Sequence, residues 1–298
     1  MMKDFKFVKE RFIYKNQHMK KIIAVFDGLK FSESTLQYAI HFARQKDTML
    51  VGVFLEDYSY HSYKIYDLIS EEGGGLDTKR RHLDKKDEKA RASAVAHFEK
   101  ACQVADVKYT FHKDRGIALH ELLKESIYAD LLVINKKETL THHPETIPTR
   151  FIRDLLADVQ CPALLVPQKF REPGQLVLLF DGEPSSVHAI KMVSYILASD
   201  FSLPVEIVTV NTGKNKISTT DNRLMKEFIK NRFPHARYIS LKGEAETQIV
   251  NYIKKQETES MVALGAYRRS KVSRWFRPSM ADLLMKETKF PLFIAHNK

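Results

Sequence analysis

Four residues stand at the ends of apolar segments, where a sheet of parallel strands would place a ligand. Asp27 and Asp181 each follow a run of five apolar residues, and Asn135 and Gly265 follow two later apolar runs. In open parallel sheets, ligands bind beyond the carboxyl ends of the strands. These four residues are therefore candidates for ligand binding. For the two aspartates, a plain Asp-Gly turn is the alternative.

Two hydroxyl residues, Thr149 and Ser279, each follow a proline at the predicted start of a helix. A hydroxyl at that position caps backbone amides that have no partner inside the helix. The same amides, together with the helix dipole, also suit a phosphate group. Ser279 lies three residues before Asp282, which predicts a capping box. Capping and anion binding are compatible, so both interpretations stay open.

The segment between Gly265 and Ser279 is strongly basic. Its basic residues are Arg268, Arg269, Lys271, Arg274 and Arg277. Arginine pairs bidentately with phosphate oxygens, so Arg268 and Arg269 are candidates for holding a phosphorylated ligand. A solvated basic loop is the alternative. The corresponding segment of the first half carries Glu138, whose charge would oppose a phosphate.

Catalytic patterns are missing from the sequence. It contains no Gly-x-x-x-x-Gly-Lys-Ser/Thr loop, no Gly-x-Ser-x-Gly elbow and no His-Glu-x-x-His helix. His142 and His143 come nearest to a metal pair, but no further ligands stand at a familiar spacing. We therefore expect neither a catalytic set nor a metal site.

The elements that must position the candidate residues occur twice. Lys21–Gly28 is an apolar strand that ends in Asp-Gly and leads to a serine-rich helix start, and Leu176–Gly182 begins the same series. One order of elements found twice predicts a duplicated domain. The predicted domains are 19–166 and 175–298, with a linker at 167–174 and an N-terminal extension at 1–18.

Strands alternate with helices through five strands in each copy. After the first strand, the predicted strands are 49–55, 108–112, 130–134 and 163–166 in the first copy, and 205–210, 237–241, 261–264 and 292–295 in the second. Val210, at one of these strand ends, is a further candidate for ligand contact. The predicted fold class is α/β, with two repeated doubly wound parallel five-stranded sheets and helices on both faces.

Composition narrows the class of protein. The net charge is +11, but acids are interleaved with the bases in the charged helix predicted over Lys79–Val104, and much of the excess lies near the N-terminus. Nucleic acid is therefore not the expected partner. Two cysteines at unpaired spacing favour a reducing, cytoplasmic compartment. No apolar run approaches the roughly 18 residues of a membrane-spanning helix.

The order of elements, Asp27 at the end of the first strand and Cys161–Val166 before the linker resemble the universal stress protein family. That resemblance implies a Rossmann-like fold of the adenine-nucleotide α-hydrolase type. The family binds phosphate with a loop of three spaced glycines and a final serine or threonine. The second copy keeps Gly265 and Ser279 at this spacing, with Arg268 and Pro278 in place of the other glycines. The first copy has Asn135, Glu138 and Pro148 in the glycine positions and keeps Thr149.

The resemblance implies a non-catalytic stress-response protein whose tandem domains bind a small ligand or a protein partner. In the family manner, Asp27 and Asp181 would contact adenine or ribose. The first copy should not hold a triphosphate. ATP with magnesium, or another phosphorylated ligand, in the second copy is the alternative, with slow nucleotide hydrolysis as a more distant one. A homodimer or an intramolecular pair of domains is expected.

Overall fold

A computed structural model describes residues 20–44, 48–57, 76–141, 143–196, 203–211, 219–266 and 279–296. The predicted N-terminal extension lies outside the described residues, and so do Arg268 and Arg269. Within the described part of the chain there are ten strands and eight helices. No described helix combines the length and the apolar character needed to cross a membrane.

The amino-terminal half of the sheet, defined here as strands β1 to β5, alternates strands and helices as predicted. Its elements are β1 (Lys20–Asp27), α1 (Glu33–Ala43), β2 (Thr48–Asp57), α2 (Leu76–Val104), β3 (Tyr109–Gly116), α3 (Ala118–Ile127), β4 (Leu131–Asn135), α4 (Arg150–Asp158) and β5 (Ala163–Val166). Strand β3 extends four residues beyond its predicted end at His112. The reason is tertiary, because its pairing with β2 continues as far as Gly116 opposite Asp57.

The carboxy-terminal half, defined as strands β6 to β10, repeats this order. Its elements are β6 (Gln175–Leu179), α5 (Pro184–Ile196), β7 (Val205–Asn211), α6 (Thr219–Arg232), β8 (Arg237–Lys242), α7 (Ala245–Lys254), β9 (Ser260–Gly265), α8 (Met280–Glu287) and β10 (Leu292–Ala295). Every predicted strand of this half is present, within two residues of its predicted bounds.

Within each half the strands are parallel and follow the same spatial order. The first half runs β3-β2-β1-β4-β5, and the second half repeats this as β8-β7-β6-β9-β10. The strand order therefore reverses between β1 and β4, and again between β6 and β9. In each half this is the switch point at which parallel sheets bind ligands. The predicted α/β doubly wound class is confirmed.

The two halves join into one sheet of ten strands. Strand β5 pairs with β10, and the pairing is antiparallel, with Leu165 opposite Leu292 and Ala163 opposite Ile294. The sequence predicted five strands in each copy but not this central pairing. No local pattern indicates it, because a short buried strand looks the same whatever strand lies beside it.

Two apolar layers cover the sheet, one on each face. On one face Phe26 packs against Phe54 and Phe98, with ring centroids 5.1 and 5.7 Å away. Phe98 fits there because residue 52 is a glycine, where a Cβ atom would come within 2.9 Å of its ring. All three phenylalanines are buried, and each contributes about 2 kcal/mol of burial free energy. The aromatic layer thus anchors α2 on the sheet.

The predicted linker segment packs against α1. The Ser34 hydroxyl donates to the carbonyl of Pro167 at 2.6 Å, and the Tyr38 hydroxyl donates to the carbonyl of Arg171 at 2.9 Å. The ring of Phe170 meets Tyr38 edge-on, at 4.7 Å between centroids. These contacts give the segment one path over the first half before β6 begins.

Lys136 ties the two halves together at the end of β4. Its ammonium is buried, with 6% of the residue exposed, and it donates to the carbonyls of Met285 and Thr288. Those carbonyls end helix α8 of the other half, so the lysine supplies donors to groups that lack partners inside the helix. Burial, with a smaller effect of Lys137, lowers the pKa of Lys136 to about 8.

The Lys136→Met variant should differ from the wild type in its response to alkaline pH. Because the folded pKa lies below the ordinary value of 10.5, the folded state binds fewer protons than the unfolded state between pH 8 and 10.5. The wild-type free energy of unfolding should therefore rise, relative to the variant, by roughly 2–3 kcal/mol across this window. Urea unfolding at a series of pH values measures the difference.

Exposed Lys124, on helix α3, offers the matched control, because Lys124→Met should follow the wild-type curve. If the free energy of unfolding of Lys136→Met changed with pH in the same way as that of the wild type, the lowered pKa of Lys136 would be contradicted.

Candidate functional site

A cleft of about 720 Å³ lies at the carboxyl ends of β1 and β4, at the switch point of the first half. Charged and polar side chains line most of it, among them Lys30, Ser32, Asn135, Lys137, Glu138 and His143. The sequence predicts a ligand at this place, beyond the carboxyl ends of the strands. The cleft is large enough for a small organic molecule.

Asn135 connects the end of β4 to the start of α1. Its side-chain amide donates to the hydroxyl of Ser32 at 3.2 Å and approaches that of Ser34 at 3.5 Å. Its side-chain carbonyl accepts from the backbone N–H of Lys137 at 2.9 Å. Ser32 is also the N-cap of α1, accepting from the N–H of Thr35. Asn135 thus helps to hold the wall of the cleft.

Asp27 and Asp181 form the same local turn in different surroundings. One carboxylate oxygen of Asp27 accepts from the N–H of Leu29 at 2.8 Å, and one of Asp181 accepts from the N–H of Glu183 at 2.9 Å. The predicted turn role is present in both halves. Asp27 is buried, with 1% exposed, whereas Asp181 is exposed. Asp181 is the one with open access to solvent.

Glu138 places a carboxylate inside the loop that follows β4. It is buried, with 8% exposed, and its Oε1 atom accepts from the N–H groups of Thr139 and Leu140, both at 3.0 Å. Burial and the charge of nearby Asp27 raise the pKa of Glu138 to about 7, while the two N–H groups and Lys30 act in the opposite direction. The carboxyl group therefore takes up its proton at a higher pH than an ordinary glutamate does.

Thr149 serves both the helix and the loop. Its hydroxyl accepts from the N–H of Ile152 at 3.2 Å as the N-cap of α4, and it donates to the carbonyl of Glu138 at 2.5 Å. The predicted capping role is present. The residue is buried, with 1% exposed, and the cap holds the loop against the helix.

Gly265 is required for packing in the second half. A Cβ atom at this position would lie 2.3 Å from the carbonyl carbon of Ser185 and 2.7 Å from the nitrogen of Ser186. These are backbone atoms of the first turn of α5, which cannot turn aside as a side chain would. Where the first half uses the Asn135 side chain to bridge strand and helix, the second half brings the two backbones into contact.

Ser279 forms the predicted capping box. Its hydroxyl accepts from the N–H of Asp282 at 3.1 Å, and the Asp282 carboxylate accepts from the N–H of Ser279 at 3.1 Å. Val210 lies in β7 and is half-buried. Because Arg268 and Arg269 lie outside the described residues, the second-half site has a described frame of Asp181, Val210, Gly265 and Ser279 only.

Among the described residues, no three histidine, cysteine, aspartate or glutamate side chains come together in a way that could hold a metal ion. Of the predicted histidine pair, His143 lines the cleft and His142 lies outside the description. Both cysteines are buried free thiols, and burial raises the pKa of each to about 12.

Two features of the site have no clear signal in the sequence. Spacing places Glu138 in the loop, but it does not show that its carboxylate accepts from the two N–H groups that follow it. Lys136 sits in a charged run with Lys137 and Glu138, which normally indicates a solvated turn. Only the second half, folded alongside, buries its ammonium.

No protein-family model matches the sequence, and no curated protein matches it. Among solved structures, a universal stress protein from Archaeoglobus fulgidus DSM 4304 is similar, with a TM-score of 0.68 and 13% identity, covering 93% of this chain and 98% of that one. A functionally unknown protein from Pseudomonas aeruginosa PAO1 has a TM-score of 0.59 and 10% identity, covering 93% and 92%.

The cytoplasmic domain of a prokaryotic cation chloride cotransporter is also similar, with a TM-score of 0.50, 12% identity and coverage of 93% and 95%. At these identities the similarity shows the fold. The chain has a tandem Rossmann-like α/β fold that is shared over nearly its whole length with a universal stress protein. The resemblance expected from the sequence is confirmed as a likeness of fold.

Replacing Glu138 with glutamine should change how stability depends on pH. Because the folded pKa is raised from 4.5 to about 7, this carboxyl group stabilises the fold below pH 4.5, and that contribution is lost as pH rises to 7. Relative to Glu138→Gln, the wild-type free energy of unfolding should fall by about 3 kcal/mol over this range. Denaturant unfolding between pH 4 and 8 tests this, and equal slopes would contradict it.

Gly265→Ala should destabilise the protein by about 3 kcal/mol or more, because the new methyl group meets helix backbone. The matched control is Gly116→Ala, where the nearest atom is 3.3 Å away in the flexible side chain of Glu121 and the loss should stay below about 1 kcal/mol. Thermal unfolding of both variants measures the difference. Similar losses would remove the packing role assigned to Gly265.

Proposed function

We propose that this chain is a non-catalytic protein of the universal stress type, in which tandem domains at 19–166 and 175–298 act in stress response by binding a small ligand or a protein partner. The observation that carries the proposal is the polar cleft at the first switch point, on a fold shared with a universal stress protein. Fold alone does not determine function. The cleft gives the proposal a specific place on the molecule.

The first-half cleft has mixed charge, which favours a ligand with both polar and uncharged parts over a polyphosphate. Lys30 and Lys137 line it, but so do Glu33, Glu138 and Glu145. A triphosphate would bring several negative charges close to these carboxylates. Like charges at short range in a partly desolvated site repel strongly. The ligand class we infer is therefore small, polar and not highly anionic.

The second half supports an alternative, which is ATP with magnesium or another phosphorylated ligand. Asp181 is exposed at the end of β6, and Ser279 caps α8 at the end of the basic segment. Arg268 and Arg269 would supply the positive charge. Slow nucleotide hydrolysis is the furthest extension of this alternative, and Asp181→Ala should abolish it.

The partner is proposed to be a protein, a second copy of the chain or the other domain of the same chain. The two halves already share one sheet through β5 and β10. Strands β3 and β8 form the two outer edges of that sheet, where backbone groups can pair with another chain. A cytoplasmic compartment remains the expectation, and nucleic acid is not the proposed partner.

Native mass spectrometry of the purified full-length protein should reveal a bound small molecule. Lys137→Trp should lose it, because the exposed Lys137 lines the cleft and an indole ring there would fill the space. The control is Lys124→Trp, at an exposed lysine on α3, which should keep the ligand. Equal retention by both variants, or no ligand in the wild type, would contradict a ligand site in the cleft.

A thermal-shift titration with ATP and magnesium separates the alternative. At about 100 times its dissociation constant, a ligand of the native state adds about 2.7 kcal/mol of stability, a shift of several degrees. The leading proposal expects no shift. A shift that disappears when Arg268 and Arg269 are both changed to glutamate would assign a nucleotide to the second half.

A further inference from the structure

Two consecutive backbone N–H groups in the loop after β4 point at a single spot. Those of Thr139 and Leu140 both lie 3.0 Å from one oxygen of the Glu138 carboxylate. Leu140 has a φ of +50°, in the left-handed region. Successive N–H groups in a turn with a left-handed residue form a concave nest that binds anions. The anion in this nest is the side chain of the preceding residue.

The nest is held by contacts that do not involve the Glu138 carboxylate. The Thr149 hydroxyl donates to the backbone carbonyl of Glu138, and the N–H of Glu138 donates to the carbonyl of Asn135 at 3.0 Å. Lys30 donates to the carbonyl of Thr141. The Leu140 side chain is buried, with 4% exposed, and packs in the apolar layer beneath the loop. Removing the carboxylate should therefore leave the backbone of the nest in place.

The cleft around the nest keeps basic side chains once the carboxylate is gone. Lys30, Lys137 and His143 line it, together with Glu33 and Glu145. With Glu138 in place, an incoming phosphate would compete for the two N–H groups with a carboxylate that belongs to the chain and already lies there. The phosphate would also bring negative charge close to the buried Asp27. Burial is the larger cause of the raised pKa of Glu138, and the negative charge of nearby Asp27 is the second cause.

We propose that the N–H groups of Thr139 and Leu140 are an anion-binding site that the Glu138 carboxylate fills from within, so that the chain itself closes the first-half cleft to phosphate oxyanions. The inference rests on the proposed function in one respect, which is that the cleft holds a ligand other than a polyphosphate. Once the Glu138 carboxylate is removed, we expect the site to bind a phosphate group.

The test uses the full-length chain and inorganic phosphate at matched ionic strength. In Glu138→Ala the nest is empty, and phosphate should shift the backbone amide resonances of Thr139 and Leu140 in a saturable way. The affinity should be at least about tenfold tighter than in the wild type, the factor that one hydrogen bond to an anion provides. Reading these two resonances separates the nest from any phosphate site in the second half.

Glu138→Gln is the matched control, because its side-chain carbonyl can still accept from both N–H groups although the charge is gone. It should show no gain in phosphate binding. A gain equal to that of Glu138→Ala would mean that charge repulsion, and not occupation of the nest, closes the cleft. Wild-type protein that binds phosphate at these N–H groups as tightly as the alanine variant would also overturn the proposal.

Glu138→Gly is a second variant that empties the nest, should the alanine variant fail to fold. Absence of phosphate binding in a folded variant without the carboxylate overturns the inference. That failure differs from failure of the proposed function, which is read from the small molecule bound to the wild-type protein. The inference about the nest can be correct when the proposed function is wrong, and the reverse is also possible.

Discussion

The antiparallel pairing of β5 with β10 is the constraint on which the rest of the molecule depends. Each half is a parallel sheet that would end at an open edge, and the short strands Ala163–Val166 and Leu292–Ala295 close those edges against each other. All eight of their residues are buried. Backbone groups at an unpaired buried edge would lack hydrogen-bond partners, so the pairing satisfies them while burying apolar surface on both faces.

Reversal of strand direction at this pairing decides what lies next to each candidate site. Strands β4 and β9 therefore run in opposite directions, and their carboxyl ends lie on opposite sides of the sheet along the strand direction. The last helix of one half therefore ends beside the strand-end loop of the other. Lys136 makes use of this neighbour by donating to the final carbonyls of α8. The corresponding residue of the second half is Ala266, whose side chain has no group that could make the contact of Lys136.

The two halves differ in how the strand at the switch point meets the start of the neighbouring helix. In the second half, Gly265 lets β9 touch the first turn of α5 directly. In the first half, Asn135 fills the corresponding place and hydrogen-bonds the serines of α1. A longer side chain there separates strand from helix. Asn135 also lines the cleft, so the two copies differ in residue type at a position where a ligand would lie.

Glu138 supplies a hydrogen-bond acceptor to the loop in which it lies. The N–H groups of Thr139 and Leu140 need an acceptor, and the Glu138 carboxylate provides it. In doing so the carboxylate loses its own hydration. The similar folds include a universal stress protein and the cytoplasmic domain of a transporter. Proteins described in different ways therefore share this fold. Contacts such as those of Glu138, more than the scaffold, distinguish what each protein can bind.

The sequence by itself determined the order of strands and helices, their duplication and the turns at Asp27 and Asp181, because these follow from local patterns of apolar residues and turn residues. It also located Thr149 and Ser279 as helix caps, since a cap depends on residues three positions apart. Each of these features is set by groups that are neighbours along the chain.

Only the tertiary structure decided that the two sheets are one, that Lys136 is buried and that Gly265 touches Ser185. These contacts join residues far apart in sequence, and a residue's type does not reveal which distant surface will cover it. The acceptor role of Glu138 belongs to the same group although its partners are adjacent. Its rotamer and its burial depend on how the loop packs against α4 and β4, and no pattern of residue types encodes that packing.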